Sequence, residues 1–173
     1  SFEVPGAVND LLRSVPSDVD PMHALIAAVG LLGALDPQAD DVGIDNVKRI
    51  GKLLLAQFPT IVAGIQRVRQ GLEPLSPHPE LGIAGNFLYM LTGEVPTEAA
   101  TNVMDVALVL HAEHGSNAST FVARATASTL TDVYSAITAA TAALKGPLHG
   151  GANEAVMEAL EKIGSVENVE AYV

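Results

Sequence analysis

The sequence contains no cysteine and no tryptophan, and aromatic residues make up only 4% of it. Without thiols there is neither a disulfide framework nor a thiolate nucleophile, a composition compatible with a reducing compartment. Cations are scarce: nine Lys plus Arg stand against 20 Asp plus Glu, a formal net charge of −11. Nucleic-acid affinity rests largely on phosphate neutralisation, so neither DNA nor RNA is an expected partner. The apolar run "ALIAAVGLLGAL", Ala24 to Leu35, is about a dozen residues where a bilayer span needs roughly 20, so no membrane partner is expected. The segment "SFEVPGAVNDLLRSV" has no basic stretch followed by an apolar one; no secretory signal is read, and the expected location is cytoplasmic. Strand signals are missing too. The β-branched residues are scattered among alanines, no turn such as Asn-Gly joins two alternating runs, and no repeat appears at solenoid spacing.

What remains is 49% apolar and built from Ala, Leu, Val and Ile over 173 residues, enough for one substantial core whose small side chains let helices approach closely. The punctuation is helical. Pro5 to Val15 reads as a short helix. Asp20 is an N-cap with Pro21 in the first helical position, and that helix should stop at Asp36 and Pro37. Val47, Ile50, Leu53, Leu54 and Phe58 line one side of a third helix. Pro59 lies inside that pattern, so a kink or two helices meeting there is expected. The proline-rich "LEPLSPHPELG" is a loop, followed by a helix over 83–91 that ends at Gly93. Thr97 caps the next helix, Asp132 starts or bends a later one, and a last helix should run from about Asn153 to Ile163 before "GSVENVEAYV" trails off. The expectation is an all-α architecture of about eight to ten helices.

Two stretches could carry chemistry. In "HAEHGSNAST", His111 and His114 are three apart and share a helix face, with Gly115, Ser116 and Asn117 breaking the helix behind them. Helix-end histidines satisfied by backbone carbonyls are the plain alternative, and a metal site would need further convergent ligands; no metal is expected. Asn117-Ala118-Ser119 has the form of a glycosylation acceptor, without a secretory signal to give it meaning. In "KGPLHGGANEAVMEAL", Gly146 and Pro147 end one helix, Gly150 and Gly151 free the backbone, and His149 sits on the hinge between. The positive end of a helix dipole just downstream disfavours an imidazolium. The ring then reads as a neutral hydrogen-bond donor, the role an enol-forming site asks of its electrophile. A purely structural loop histidine remains the alternative. Lys145 is a last-turn cation, and Arg67 and Arg69 are surface residues or an anion contact.

The stretch Leu110 to Leu160, with "HAEHGSN" and "GPLHGGANE" as its most specific pieces, resembles the central signature of the citrate synthase family, 2-methylcitrate synthases included. "DPMHALIAAVGLLGALDP", "FPTIVAGIQRVRQGLEP" and "NFLYMLTGEVP" are similar to the same family in the same order. The resemblance implies the multi-helical large domain of a citrate synthase, incomplete within 1–173. It also implies condensation of acetyl-coenzyme A with oxaloacetate and water to give citrate and coenzyme A, with acetyl-coenzyme A as a substrate and no permanently bound cofactor. His149 matches the catalytic histidine that hydrogen-bonds the thioester carbonyl. His114 matches the oxaloacetate-binding histidine, Asn117 lies in the substrate-adjacent turn, and His111 matches a histidine nearer the core with no catalytic role. The family's second catalytic histidine, its aspartate base and its later arginines have no counterpart in these residues, so this stretch alone is expected to be inactive. Alternatives are a 2-methylcitrate synthase using propionyl-coenzyme A and a non-catalytic helical dimerisation module. A homodimer is expected, formed through the small faces of Val103 to Leu110 and Tyr134 to Leu144.

Overall fold

A computed structural model describes residues 1–172 except His114, and for Asn153 the backbone alone. The described residues are helical throughout, with no strand: α1 (Gly6–Ser14), α2 (Pro21–Leu35), α3 (Ile44–Arg69), α4 (Ile83–Thr92), α5 (Glu98–His111), α6 (Ala118–Ala127), α7 (Val133–Leu144), α8 (Gly151–Ile163), a 3₁₀ turn at Val166–Asn168 and α9 (Val169–Tyr172). The final residues therefore do not trail off as expected but coil into two short helical pieces. Helix starts follow side-chain chemistry. Asp20 accepts from the Met22 amide at 2.8 Å, Thr97 from Ala100 at 3.2 Å, Asn117 from Thr120 at 2.9 Å and Asp132 from Ser135 at 2.8 Å, each satisfying an amide that has no partner within its helix. Gly93, at φ 86°, closes α4 in the left-handed conformation.

Helix α3 runs unbroken through Pro59 rather than dividing there. Proline removes one amide donor and strands the carbonyl four residues back, which belongs to Leu55. Leu55 is exposed, so water can take that carbonyl, while Leu54, Thr60 and Ile61 hold the helix to the core on its other side.

Helix α2 lies at the centre. Its Ala24, Leu25, Ala28, Val29 and Leu32 pack with Val8 and Leu12 of α1, Ile50, Leu54, Ile61 and Ile65 of α3, and Tyr134 of α7. The approach of α2 to α7 depends on Gly33, where a Cβ atom would come within 2.8 Å of the Tyr134 Cβ. Two buried asparagines organise the loops ahead of their helices. Asn46 donates to the carbonyls of Gln38 and Asp41, and Asn86 donates to those of His78 and Leu81 while accepting from the His78 amide.

The core ends in a polar knot. Tyr134 donates its hydroxyl to Asp36 at 2.8 Å, and the same carboxylate accepts from Arg49 at 2.7 Å and from the Gln38 amide at 2.9 Å. Burial alone would raise the Asp36 pKa; the bonds from Arg49, Gln38 and Tyr134 outweigh it and hold the carboxyl below its usual range. Tyr134 moves up to about 12, through its own burial and then its bond to Asp36. With a folded pKa below the unfolded one, Asp36 stabilises the fold in full above about pH 4, and that contribution is lost as pH falls through the folded value. Tyr134→Phe is expected to cost about 1.5–3 kcal/mol, the worth of a hydrogen bond to a charged group, and to lower the melting temperature by about 3–10 °C at neutral pH. Thermal melts from pH 7 down to pH 2 should show the gap between variant and wild type narrowing once Asp36 is protonated.

Burial is uneven along α7. Tyr134, Ala136 and Ala140 are buried, with α7 packed against α2 and α6, while Ser135, Ala142 and Leu144 of the same helix are exposed. Helices α5 and α6 bury no side chain, nor does α8 among its described residues. Val103, Val109 and Leu110 of α5 stand exposed.

Candidate functional site

The hinge expected around His149 is present, with α8 starting at Gly151, two residues earlier than its apolar pattern suggests. Lys145 closes α7, and the chain then turns on its own carbonyls. The His149 amide donates to Gly146 at 3.0 Å, Gly150 to Leu144 at 3.0 Å, and Gly151 to Gly146 at 3.3 Å. Gly150 is required here for space, since a Cβ atom at this position would overlap the Leu144 carbonyl oxygen. The turn splays two neighbours apart: Leu148 is 99% exposed, whereas His149 is half-buried.

His149 meets a residue that no sequence motif pointed to. Ser119, in the first turn of α6, places its hydroxyl 2.7 Å from His149 Nε2 and donates to the Ala140 carbonyl of α7 at 2.9 Å. A carbonyl can only accept, and a serine has one proton to give. With that proton on Ala140, Ser119 accepts from Nε2–H, so the network assigns the proton of a neutral His149 ring to Nε2 and its lone pair to Nδ1. Three elements thus fix one imidazole: α7 through Ala140, α6 through Ser119, and the glycine hinge through the backbone.

The other expected residues fall around this pair unevenly. Asn117 is the N-cap of α6, two residues before Ser119, with its side-chain carbonyl committed to the Thr120 amide. His114 lies outside the described residues. His111 is exposed and donates from Nδ1 to the Ala107 carbonyl at 2.7 Å; it is a helix-end histidine satisfied by its own turn, at the surface rather than near the core. Arg67 donates to the Glu73 carbonyl at 2.6 Å and Arg69 to the Ser17 carbonyl at 3.3 Å, so both serve loops. Among the described residues, no group of three His, Cys, Asp or Glu is placed to hold a metal ion, and no helix is long and apolar enough to cross a membrane.

Fold and site together define a multi-helical protein that holds an oriented imidazole on a glycine hinge ahead of a helix. Residues 1–173 match the family described as citrate synthase, C-terminal domain, and the chain belongs to the citrate synthase family. It is 52% identical over 170 residues to a citrate synthase of Deinococcus radiodurans, covering 98% of this chain and 45% of that protein. It is 45% identical over 173 residues to a 2-methylcitrate synthase of Mycobacterium tuberculosis, covering 100% of this chain and 44% of that one. Two solved structures share the fold. Citrate synthase from Pyrobaculum aerophilum superposes with a TM-score of 0.86 at 45% identity, over 95% of this chain and 43% of that one. Citrate synthase from Thermoplasma acidophilum, in a ternary complex with carboxymethyl coenzyme A and oxaloacetate, gives 0.89 at 31% identity, over 99% and 45%. The chain spans less than half the length of these relatives.

Proposed function

We propose that the full-length protein condenses acetyl-coenzyme A with oxaloacetate and water to give citrate and coenzyme A, and that residues 1–173 are its helical large-domain part. The observation that carries this reading is the His149 imidazole, held on the glycine hinge and oriented by Ser119, in a chain of this family. In the reaction a methyl C–H of the thioester gives up its proton, and negative charge moves to the thioester oxygen. The resulting carbon attacks the ketone of oxaloacetate, and water then cleaves the thioester. His149 has the first task, donating a hydrogen bond to the thioester oxygen as charge develops there, which stabilises the transition state more than the ground state. Base and remaining anion-binding groups belong to parts of the protein beyond these residues. His114 and Asn117 are assigned to the oxaloacetate side.

Ser119 decides which ring nitrogen can donate. Donation from Nδ1 by a neutral ring requires Ser119 to turn its O–H from Ala140 to Nε2 while the ring proton moves to Nδ1. Ser119→Ala removes this control and is expected to lower kcat by roughly tenfold with a smaller change in KM for oxaloacetate. Steady-state kinetics on the full-length protein, with ¹⁵N NMR of the ring to follow the tautomer, check both effects.

The matched 2-methylcitrate synthase keeps propionyl-coenzyme A as a second reading of the same chemistry. One extra methylene is worth about 1–3 kcal/mol in a pocket. A comparison of kcat/KM for the two thioesters is therefore decisive: a higher value for acetyl-coenzyme A supports the proposal, and a higher value for the propionyl thioester replaces it. We also assign the protein to a homodimer, formed through the small faces of Val103 to Leu110 and Tyr134 to Leu144, where Val103, Val109 and Leu110 of α5 and Ser135, Ala142 and Leu144 of α7 are exposed. An interface above roughly 2,000 Å² is the expectation for an obligate pair.

A further inference from the structure

We infer that Asp20 and Lys145 form a latch that positions the His149 hinge, an inference that rests on the role given to His149 above. The hinge backbone is fastened upstream, to the carbonyls of Leu144 and Gly146 at the end of α7. Downstream it continues into α8, none of whose described residues is buried by the rest of residues 1–172. Within these residues the ring is held by Ser119, and the hinge backbone that carries it follows the end of α7. Lys145, the residue that closes α7, reaches across to the start of α2, where its Nζ lies 2.9 Å from Asp20 Oδ2.

Asp20 is a well-prepared partner because its other oxygen already accepts from the Met22 amide at 2.8 Å. The carboxylate is fixed before the lysine arrives. The pair borders a cleft of about 500 Å³ between the starts of α2 and α8, with Glu154 among its lining residues. The latch thus spans the mouth of this cleft, joining the start of α2 to the end of α7.

Exposure separates positioning from stability. The two side chains are 33% and 43% exposed, and pairs this open contribute little to global stability. A merely structural role predicts nearly silent variants; a positioning role predicts lost turnover in a protein that melts normally. Asp20→Asn keeps a good helix cap while removing the charge, Lys145→Met removes the cation, and Lys145→Arg restores it.

In the full-length protein, Asp20→Asn and Lys145→Met should each lower kcat by roughly three- to tenfold. KM for oxaloacetate should stay within about twofold and the melting temperature within about 2 °C. Lys145→Arg should return kcat to within about twofold of wild type, and the double variant should be no worse than the worse single one, as residues acting as one unit behave. Amide hydrogen exchange over 146–151 should quicken in both single variants, a readout independent of turnover. Unchanged kcat and exchange in both single variants, failure of arginine to rescue, or losses that multiply in the double variant would overturn the latch. His149→Ala in the same assay separates the two levels. Loss of turnover there beside wild-type latch variants removes the latch alone, whereas full turnover without His149 removes the proposed role and the latch together.

Discussion

Replacing His149 by alanine in the full-length protein should lower kcat by roughly 10²-fold or more, the range for loss of a donor that acts on charge developing in the transition state. KM for oxaloacetate should change far less, because the role proposed for His149 is toward the thioester. The fold should survive. His149 is half-buried on a turn and belongs to neither the core cluster nor the Tyr134 knot, so circular dichroism and the melting temperature of the variant should stay close to wild type. A His149→Ala protein that failed to fold would instead make this residue a structural one.

Gly150→Ala is the second large effect, and it arises from sterics rather than from any chemical group. The added methyl would collide with the Leu144 carbonyl, which also accepts the Gly150 amide. A carbonyl oxygen in a helix end cannot rotate away as a flexible side chain would, so the turn must open. Overpacking of this kind costs about 1–3 kcal/mol, and a shift of about an ångström in a catalytic group is enough for a loss of at least roughly tenfold in kcat. Gly146→Ala is the comparison. Its Cβ would lie 3.3 Å from the Ala143 carbonyl, a tight contact but not an overlap, and the same assay and melt should show a milder loss.

What could be read from the sequence was whatever is decided within a few residues. Asp20, Thr97 and Asp132 cap the helices expected of them because a cap needs only its own side chain and the next three amides. Gly93 ends α4 for an equally local reason. At Pro59 one of the two expected outcomes, a division into two helices, does not occur: the anchoring of the flanking turns by Leu54, Thr60 and Ile61 is tertiary and keeps α3 continuous. The small residues of α7 were visible, but their partner within the chain was not, since only the packed chain shows that α2, through Gly33, lies against the buried side around Tyr134.

The site divides the same way. His149, its glycines and the start of a helix beyond them were legible as a contiguous motif. Ser119 was not, being 30 residues away from the histidine it orients; no spacing rule connects a serine in one helix to a hinge beyond the next helix. Lys145 was read as a cation at a helix end, which it is, while its pairing with Asp20 joins residues on opposite sides of the sequence. Family resemblance supplied roles for His114 and Asn117 that local spacing does not carry.

Enolisation can be measured apart from condensation, and it is the step given to His149. In D₂O, with the hydroxy acid malate replacing oxaloacetate so that no electrophilic ketone is present, the full-length protein should exchange the methyl protons of acetyl-coenzyme A for deuterium. The His149→Ala protein should do so at least roughly 10²-fold more slowly. Equal exchange by the two proteins would contradict the role assigned to His149.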